Sequence, residues 1–313
     1  VVGYLIGGGL GPLARSHGFS SDYIAGATLI TGEGEVVDTD QHPDLLWALR
    51  GGKYIGALVA EMRVRLVEQR MLYAGSLFYA EEHIEQAFRA WVDWTAKAHP
   101  QLSTSVGIMR YPPLDVVPAP LRGRRLMVLH FTWPGALEEG AQLAEPLRRM
   151  APVYLDDLGE LPCTEMARIH NDPTQPAHVW ISGLMLDRID QDFATAYLAQ
   201  LKDAPFGGAE IRHLGEATRK DIPEGSAVGG RGGHFVLGYA SVDRTLFATV
   251  LPAASAALND ALRPWMSAEN SINFMGRPRS AEHFASAWPT ETRARLARIR
   301  KRYDPEQVFG DHG

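Results

Sequence analysis

Residues 1–22, VVGYLIGGGLGPLARSHGFSSD, join an apolar run to three glycines, a single spacer, a fourth glycine and a proline. Glycines packed this tightly let a backbone come close to a ligand or to another segment. Residues 1–6 read as a strand, and 12–17 as a short helix with proline near its start and Gly18 closing it. Residues 9–14, GLGPLA, also satisfy the loose dinucleotide pattern G-x-G-x-x-G/A. A Rossmann site needs a longer helix and a parallel return strand ending in an acid. Here Gly18 arrives too soon, and the next strands read as a hairpin. A turn whose glycines serve packing alone is the other reading. The motif by itself separates none of these.

The rest of the chain sets the bounds. With 313 residues, 45% hydrophobic and 22% charged, it is long enough for two lobes with sizeable cores. A formal net charge of −6 excludes a polyanion or nucleic-acid partner as the expectation. The single cysteine, Cys163, excludes an internal disulfide framework and fits a reducing, cytoplasmic setting. No apolar stretch approaches the ~18 residues of a membrane span.

Residues 24–30 and 36–38 read as strands around the turn Thr31-Gly32-Glu33-Gly34. PDLLWALR at 43–50 is a short helix ended by Gly51-Gly52, and 55–67 alternates as a strand. Ile84, Ala87, Phe88, Trp91 and Trp94 mark one helical face within 81–98. Strands follow at 103–109 and 125–131, then a helix over 136–150. A second round has strands at 179–184, 210–214 and 235–241 and helices at 190–201 and 245–262. Two such rounds predict an α+β lobe, an antiparallel sheet with helices on one face. A basic helix at 290–302 interleaves arginines with Leu296 and Ile299, so it packs one stripe and solvates the rest.

Longer motifs narrow the reading. GGGLGPLARSHGFSSD, the hairpin and DLLWALRGG are followed downstream by IHNDPT (169–174), EIRHLG (210–215), INF (272–274) and RYDP (302–305). In this order they resemble the FAD-linked oxidases of the berberine bridge enzyme-like family, over nearly the whole chain. The resemblance implies a remnant of a PCMH-type FAD-binding domain plus an antiparallel-sheet substrate lobe covered by helices. Residues 1–67 would be the second part of the FAD domain, 68–264 the substrate lobe, and 265–313 a segment returning to the FAD domain. It implies FAD as cofactor, with Gly7, Gly8, Gly9, Gly11 and Arg15 in the floor beneath the flavin. Gly51, Gly52 and Gly56 would line the cofactor, and Asn273 would contact its ribityl chain or ring. The activity implied is oxidation of a small organic substrate by hydride transfer to the flavin.

Three departures from the family bear on this. The family carries its pyrophosphate loop and its covalent flavin anchor ahead of the point matching Val1, and residues 1–313 contain neither. Weak FAD binding by these residues alone is therefore expected. So is an exposed apolar face along 1–10 and 24–30, for self-association or for a missing N-terminal half. The family's R-G-G-G-G-N-F-G loop reads Arg50-Gly51-Gly52-Lys53-Tyr54-Ile55-Gly56. Lys53 there is either an exposed loop lysine or a cation that stabilises the anionic reduced flavin. The tyrosine often found beside the substrate is replaced by Ser271, which cannot do a phenol's acid–base work. Phe309 to Gly313 is a shortened form of the family's F-x-x-N-H ending. A flavin-free, catalytically inactive remnant that binds a small molecule or a protein is the alternative function.

His130 in LMVLHFTW and Tyr239 in FVLGYASV are the candidate catalytic residues, projecting from the sheet toward the flavin side. Satisfied sheet residues are the plainer reading of both, and a structural role that of His170 and His213. One cysteine and no His-x-x-x-His or His-Glu-x-x-His spacing give no expectation of a metal. A Ser-His-Asp hydrolase lacks its G-x-S-x-G elbow.

Overall fold

The computed structural model describes residues 1–171, 176–277 and 280–310, so positions 172–174 of the IHNDPT motif and the ending at 311–313 lie outside the described residues. The chain starts in a helix, not a strand. In α1 (Val2–Leu5) the N–H groups of Tyr4 and Leu5 donate to the carbonyl of Val1. A strand at 1–6 would need a ladder partner. The small antiparallel sheet has the order β2-β1-β3, so β1 (Ile24–Thr31) is already paired on both sides, by β2 (Val36–Asp38) and β3 (Ala57–Val64). Unpaired, the run satisfies its backbone locally as a helical turn. Next come α2 (Ala14–His17), closed by Gly18 at φ 82°, and α3 (Pro43–Leu49) with proline in its first turn.

A second antiparallel sheet holds eight strands. They are β4 (Met71–Ala80), β5 (Ser103–Arg110), β6 (Arg125–Trp133), β7 (Val153–Asp156), β8 (Gly159–Pro162), β9 (Trp180–Leu186), β10 (Gly208–His213) and β11 (Phe235–Ser241). The order is β7-β4-β6-β5-β10-β11-β9, with β8 also on β4. Four helices, α4 (Ile84–Thr95), α5 (Leu137–Arg148), α6 (Gln191–Leu201) and α7 (Val250–Leu262), share one apolar core with it. Strand alternation explains how. Met127, Leu129 and Phe131 of β6 join that core with Phe88, Trp91, Phe193 and Tyr197, while His130 and Thr132 fall on the opposite face. Sequence reading placed no element over Met71–Ala80, although it is one of the longest strands. Both of its faces are buried, Leu77 and Tyr79 against the helices and Leu72 and Ala74 against Leu161 and Ile169, so no polar alternation marks it.

The chain then returns to the small sheet through α8 (Ala281–Ala285) and α9 (Thr290–Tyr303). Leu296, Ile299 and Tyr303 of α9 pack with Ala27, Leu29, Leu45 and Trp47, and Arg295 lies over the Trp47 ring at 3.8 Å. Arg293, Arg298 and Arg302 stay exposed, as their spacing predicts, whereas Arg300 is partly buried and donates from Nε to the Tyr54 carbonyl. The apolar face expected along 1–10 and 24–30 is not open. Leu5, Leu10, Ile24 and Leu29 are buried, and exposure there is confined to residues 1–4, with Val1, Val2 and Tyr4 the exposed apolar side chains. No helix among the described residues is long and apolar enough to cross a membrane.

Trp91 is fully buried at the centre of the larger core, and its indole N–H donates to Thr104 Oγ1 at 3.2 Å. Trp91→Ala is expected to destabilise the fold by about 3–5 kcal/mol, read as a lower urea midpoint at unchanged slope.

Candidate functional site

The face of the large sheet away from the helices is polar at its middle. Strand register sets Ser76, His130, Ser105 and Arg212 side by side across β4, β6, β5 and β10. Glu210 lies two residues before Arg212 on the same face of β10. His170, just after the 3₁₀ turn Cys163–Arg168, closes over the row, its ring 4.3 Å from that of His130.

The hydrogen bonds define atom roles. Ser76 Oγ donates to the Ile169 carbonyl at 3.0 Å, so at 2.8 Å it accepts from His130 Nδ1–H. That leaves His130 Nε2 with its lone pair. Burial, then the neighbouring His170, lowers the His130 pKa to about 3, and the ring stays neutral. Glu210 Oε1 accepts from Ser105 Oγ at 2.6 Å and lies 3.2 Å from His170 Nε2. Glu210 Oε2 accepts from Arg212 Nε at 3.1 Å and Nη2 at 3.0 Å. Burial alone would raise the Glu210 carboxyl, but Arg212 and then His170 outweigh it and hold it well below the usual carboxylate range. Arg212 also donates to the Leu10 carbonyl at 3.0 Å and lies 5.3 Å from the centre of the Phe274 ring. It thereby ties the glycine-rich loop to the sheet. Between loop and sheet, lined by Gly11, Pro12, Ser105, His130, His170 and His213, runs a cleft of about 20 Å³, room for one water.

At the other end of the loop a second polar group forms. Lys53 Nζ donates to Asn273 Oδ1 at 3.0 Å and to the Gly3 carbonyl at 2.6 Å, and Asn273 Nδ2 donates to the Tyr4 carbonyl at 2.7 Å. A Cβ on Gly7 would lie 2.1 Å from Asn273 Oδ1, so only glycine fits there. Burial lowers the Lys53 pKa, and the side chain is half-buried rather than free in solvent. Gly8 and Gly9 take positive φ, 111° and 75°.

Several expected residues stand elsewhere. Tyr239 points to the helix-covered face, where its hydroxyl lies 2.9 Å from Ser255 Oγ and donates to Asn259 Oδ1 at 2.8 Å. It shares strand parity with the core residues Phe235 and Leu237, so it is not near His130. Arg15 is buried and its charge is spent on protein. Nη1 donates to the Leu214 carbonyl and, at 2.9 Å, to His213 Nε2, while Nη2 donates to the His99 carbonyl at 3.5 Å. Burial lowers its pKa to about 10. The Cα faces of Gly51, Gly52 and Gly56 are filled by Val228, by Ala48 with Leu296, and by Asp304 with Arg300. These three glycines allow close packing. Ser76, Ser105 and Glu210 were not singled out from the sequence. In GAEIRH the apolar Ala209 and Ile211 alternate with Glu210 and Arg212, a pattern that marks a polar sheet face.

No family model matches the sequence. The uncharacterised FAD-linked oxidoreductase YgaK of Bacillus subtilis is 23% identical over 99% of this chain and 68% of its own length. The (R)-6-hydroxynicotine oxidase of Paenarthrobacter nicotinovorans is 39% identical over 27% of this chain and 19% of its own. Among solved structures, the Physcomitrella patens BBE-like 1 protein superposes with a TM-score of 0.77 at 17% identity, over 98% of this chain and 68% of that one. The chain is thus a relative of the FAD-linked oxidoreductases, with the fold of the berberine bridge enzyme-like oxidases. It spans about two thirds of the length of YgaK and of the moss protein.

The Arg212–Glu210 pair has a readable pH signature. Glu210's native pKa lies below its unfolded value of about 4.3, so its stabilisation is complete above that pH and is lost as pH falls toward the native value. In urea titrations between pH 7 and 3, Glu210→Gln is expected to flatten the acid limb. Arg212→Ala is expected to cost about 3 kcal/mol at pH 7, by leaving the carboxylate without its arginine partner and with only Ser105 and His170 beside it.

Proposed function

We propose that this chain forms the flavin-facing and substrate-binding part of an FAD-dependent oxidoreductase acting on a small organic substrate. In this reading, residues 1–67 and 265–313 face the cofactor and 68–264 the substrate. The observation that carries it is the glycine-rich loop fixed between two polar groups, Lys53–Asn273 at Gly7 and Arg212–Glu210 at Leu10. Bound FAD would supply the hydride acceptor. The donor set fits the polar edge of a flavin: Asn273 offers an amide and Lys53 a cation. On the substrate side, His170 is oriented through Nε2 by the ionised Glu210, which leaves Nδ1 to hold a substrate proton. His130 makes a poor base, because a pKa of about 3 is far from the neutral range in which proton transfer is efficient. Arg212 keeps Glu210 ionised and orients it through Oε2.

One observation favours the second reading, a flavin-free binding module. The cleft between loop and sheet holds about 20 Å³, far less than an isoalloxazine ring, so a flavin would have to sit at the outer edge of the loop or open the cleft. Titrating the chain into FAD and following flavin fluorescence separates the two. Saturable quenching is expected, weakened about tenfold in Asn273→Ala by loss of its hydrogen bonds. Absence of quenching, or quenching unchanged in that variant while its circular dichroism matches the parent, would support the flavin-free module.

A further inference from the structure

We propose that His130, His170 and Glu210 form a three-ligand site for a zinc-like divalent transition metal, open on one side to the cleft beneath the glycine-rich loop. A ring nitrogen from each histidine and a carboxylate oxygen lie within 4.8 Å of one another, brought there by two strands and a loop far apart in sequence. The 3.2 Å between His170 Nε2 and Glu210 Oε1 matches the edge of a tetrahedron whose metal–ligand bonds are about 2.0–2.1 Å. His130 supplies the third atom. With Nδ1–H spent on Ser76, its Nε2 lone pair is the free one, which is how a second residue commonly fixes the tautomer of a metal-binding imidazole. Arg212 plays the matching part for the carboxylate. Its two N–H groups take Oε2, and Oε1, which accepts from Ser105 Oγ on one lone pair, has its other lone pair for monodentate binding.

Ligand chemistry selects the ion. Two imidazoles and one carboxylate suit Zn²⁺ or Co²⁺, whereas Mg²⁺ and Ca²⁺ require sets dominated by oxygen. Three protein ligands with an open fourth position are the arrangement in which zinc keeps a water or a ligand oxygen. His130 offers the Nε2 lone pair and Glu210 a carboxylate oxygen as they stand, while a neutral His170 must carry its proton on Nδ1, moved there from Nε2 through solvent, as the metal enters. The nearby Arg212 charge opposes the cation, so affinity should fall short of a structural zinc site. A metal here and a proton-holding His170–Glu210 pair exclude one another, since both use His170 Nε2.

The test needs no flavin, so its outcome is separate from that of the oxidoreductase reading. Untagged chain is stripped with chelator, titrated with Zn²⁺ by calorimetry, and loaded with Co²⁺ for its visible spectrum. One Zn²⁺ per chain and the intense bands of tetrahedral Co²⁺ are expected. Affinity should fall more than tenfold in His170→Ala and in Glu210→Gln, and remain unchanged in Cys163→Ser, which alters the only thiol. Should Glu210→Gln fail to fold, His130→Gln, which keeps a donor for Ser76, carries the same expectation. No stoichiometric binding, an octahedral Co²⁺ spectrum, or full affinity in His170→Ala would overturn the site.

Discussion

Two arginines hold the amino-terminal glycine-rich segment against the large sheet. Arg212 reaches from β10 to the Leu10 carbonyl, and Arg15 reaches back from α2 to His213, Leu214 and the His99 carbonyl. Each guanidinium spends several donors on partners fixed by separate segments, and each is largely or fully removed from water. Breaking the contacts of the buried Arg15 would leave a charge with little solvent to replace the partner, and Arg212 is only partly exposed. The loop position is therefore set by hydrogen bonds whose loss is expensive, and every later feature depends on that position. Within the polar row it is Arg212 that reaches the loop backbone, at the Leu10 carbonyl.

The same arginine explains why a polar row survives inside a folded chain. The large sheet needs one apolar face for its helices, and strand alternation then sends every second residue to the other side. On β6 this yields Leu129 and Phe131 inward and His130 outward, and on β10 Ile211 inward and Glu210 with Arg212 outward. A buried carboxylate is tolerated only when paired, and Arg212 supplies the pairing together with Ser105 and His170. Neutral His130 needs less. One serine hydroxyl, itself satisfied by the Ile169 carbonyl, is enough.

Much of this was legible in the residues themselves. Strand 235–241 and the start of the basic helix at Thr290 coincide with their sequence readings, because turn residues bound them sharply. The face of His130 was legible too, since polar and apolar residues alternate around it. Tyr239 was not, because FVLGYAS is apolar on both parities and only the partners of the phenol reveal its side. Strand Met71–Ala80 was hidden for the same reason, being buried on both faces. The His130–His170–Glu210 group had no local spacing to betray it. Its members meet only through the pairing of β5 with both β6 and β10 and through a loop folded over them.

The glycines show where sequence reading stops. A glycine records that something approaches its Cα too closely for a Cβ, and the sequence does not say what. At Gly7 the close neighbour is the Asn273 amide, beside a lysine, at a polar edge accessible from outside. At Gly51 it is Val228, at Gly52 the Ala48 carbonyl and the Leu296 side chain, and at Gly56 the Asp304 side chain and the Arg300 backbone. One motif vocabulary thus covers two different surroundings, a side-chain amide at a polar edge and a seam closed against other elements of the chain. The seam has its own function. It locks α9 onto the loop that carries Lys53, so the carboxy-terminal helix sets where that cation stands relative to Asn273.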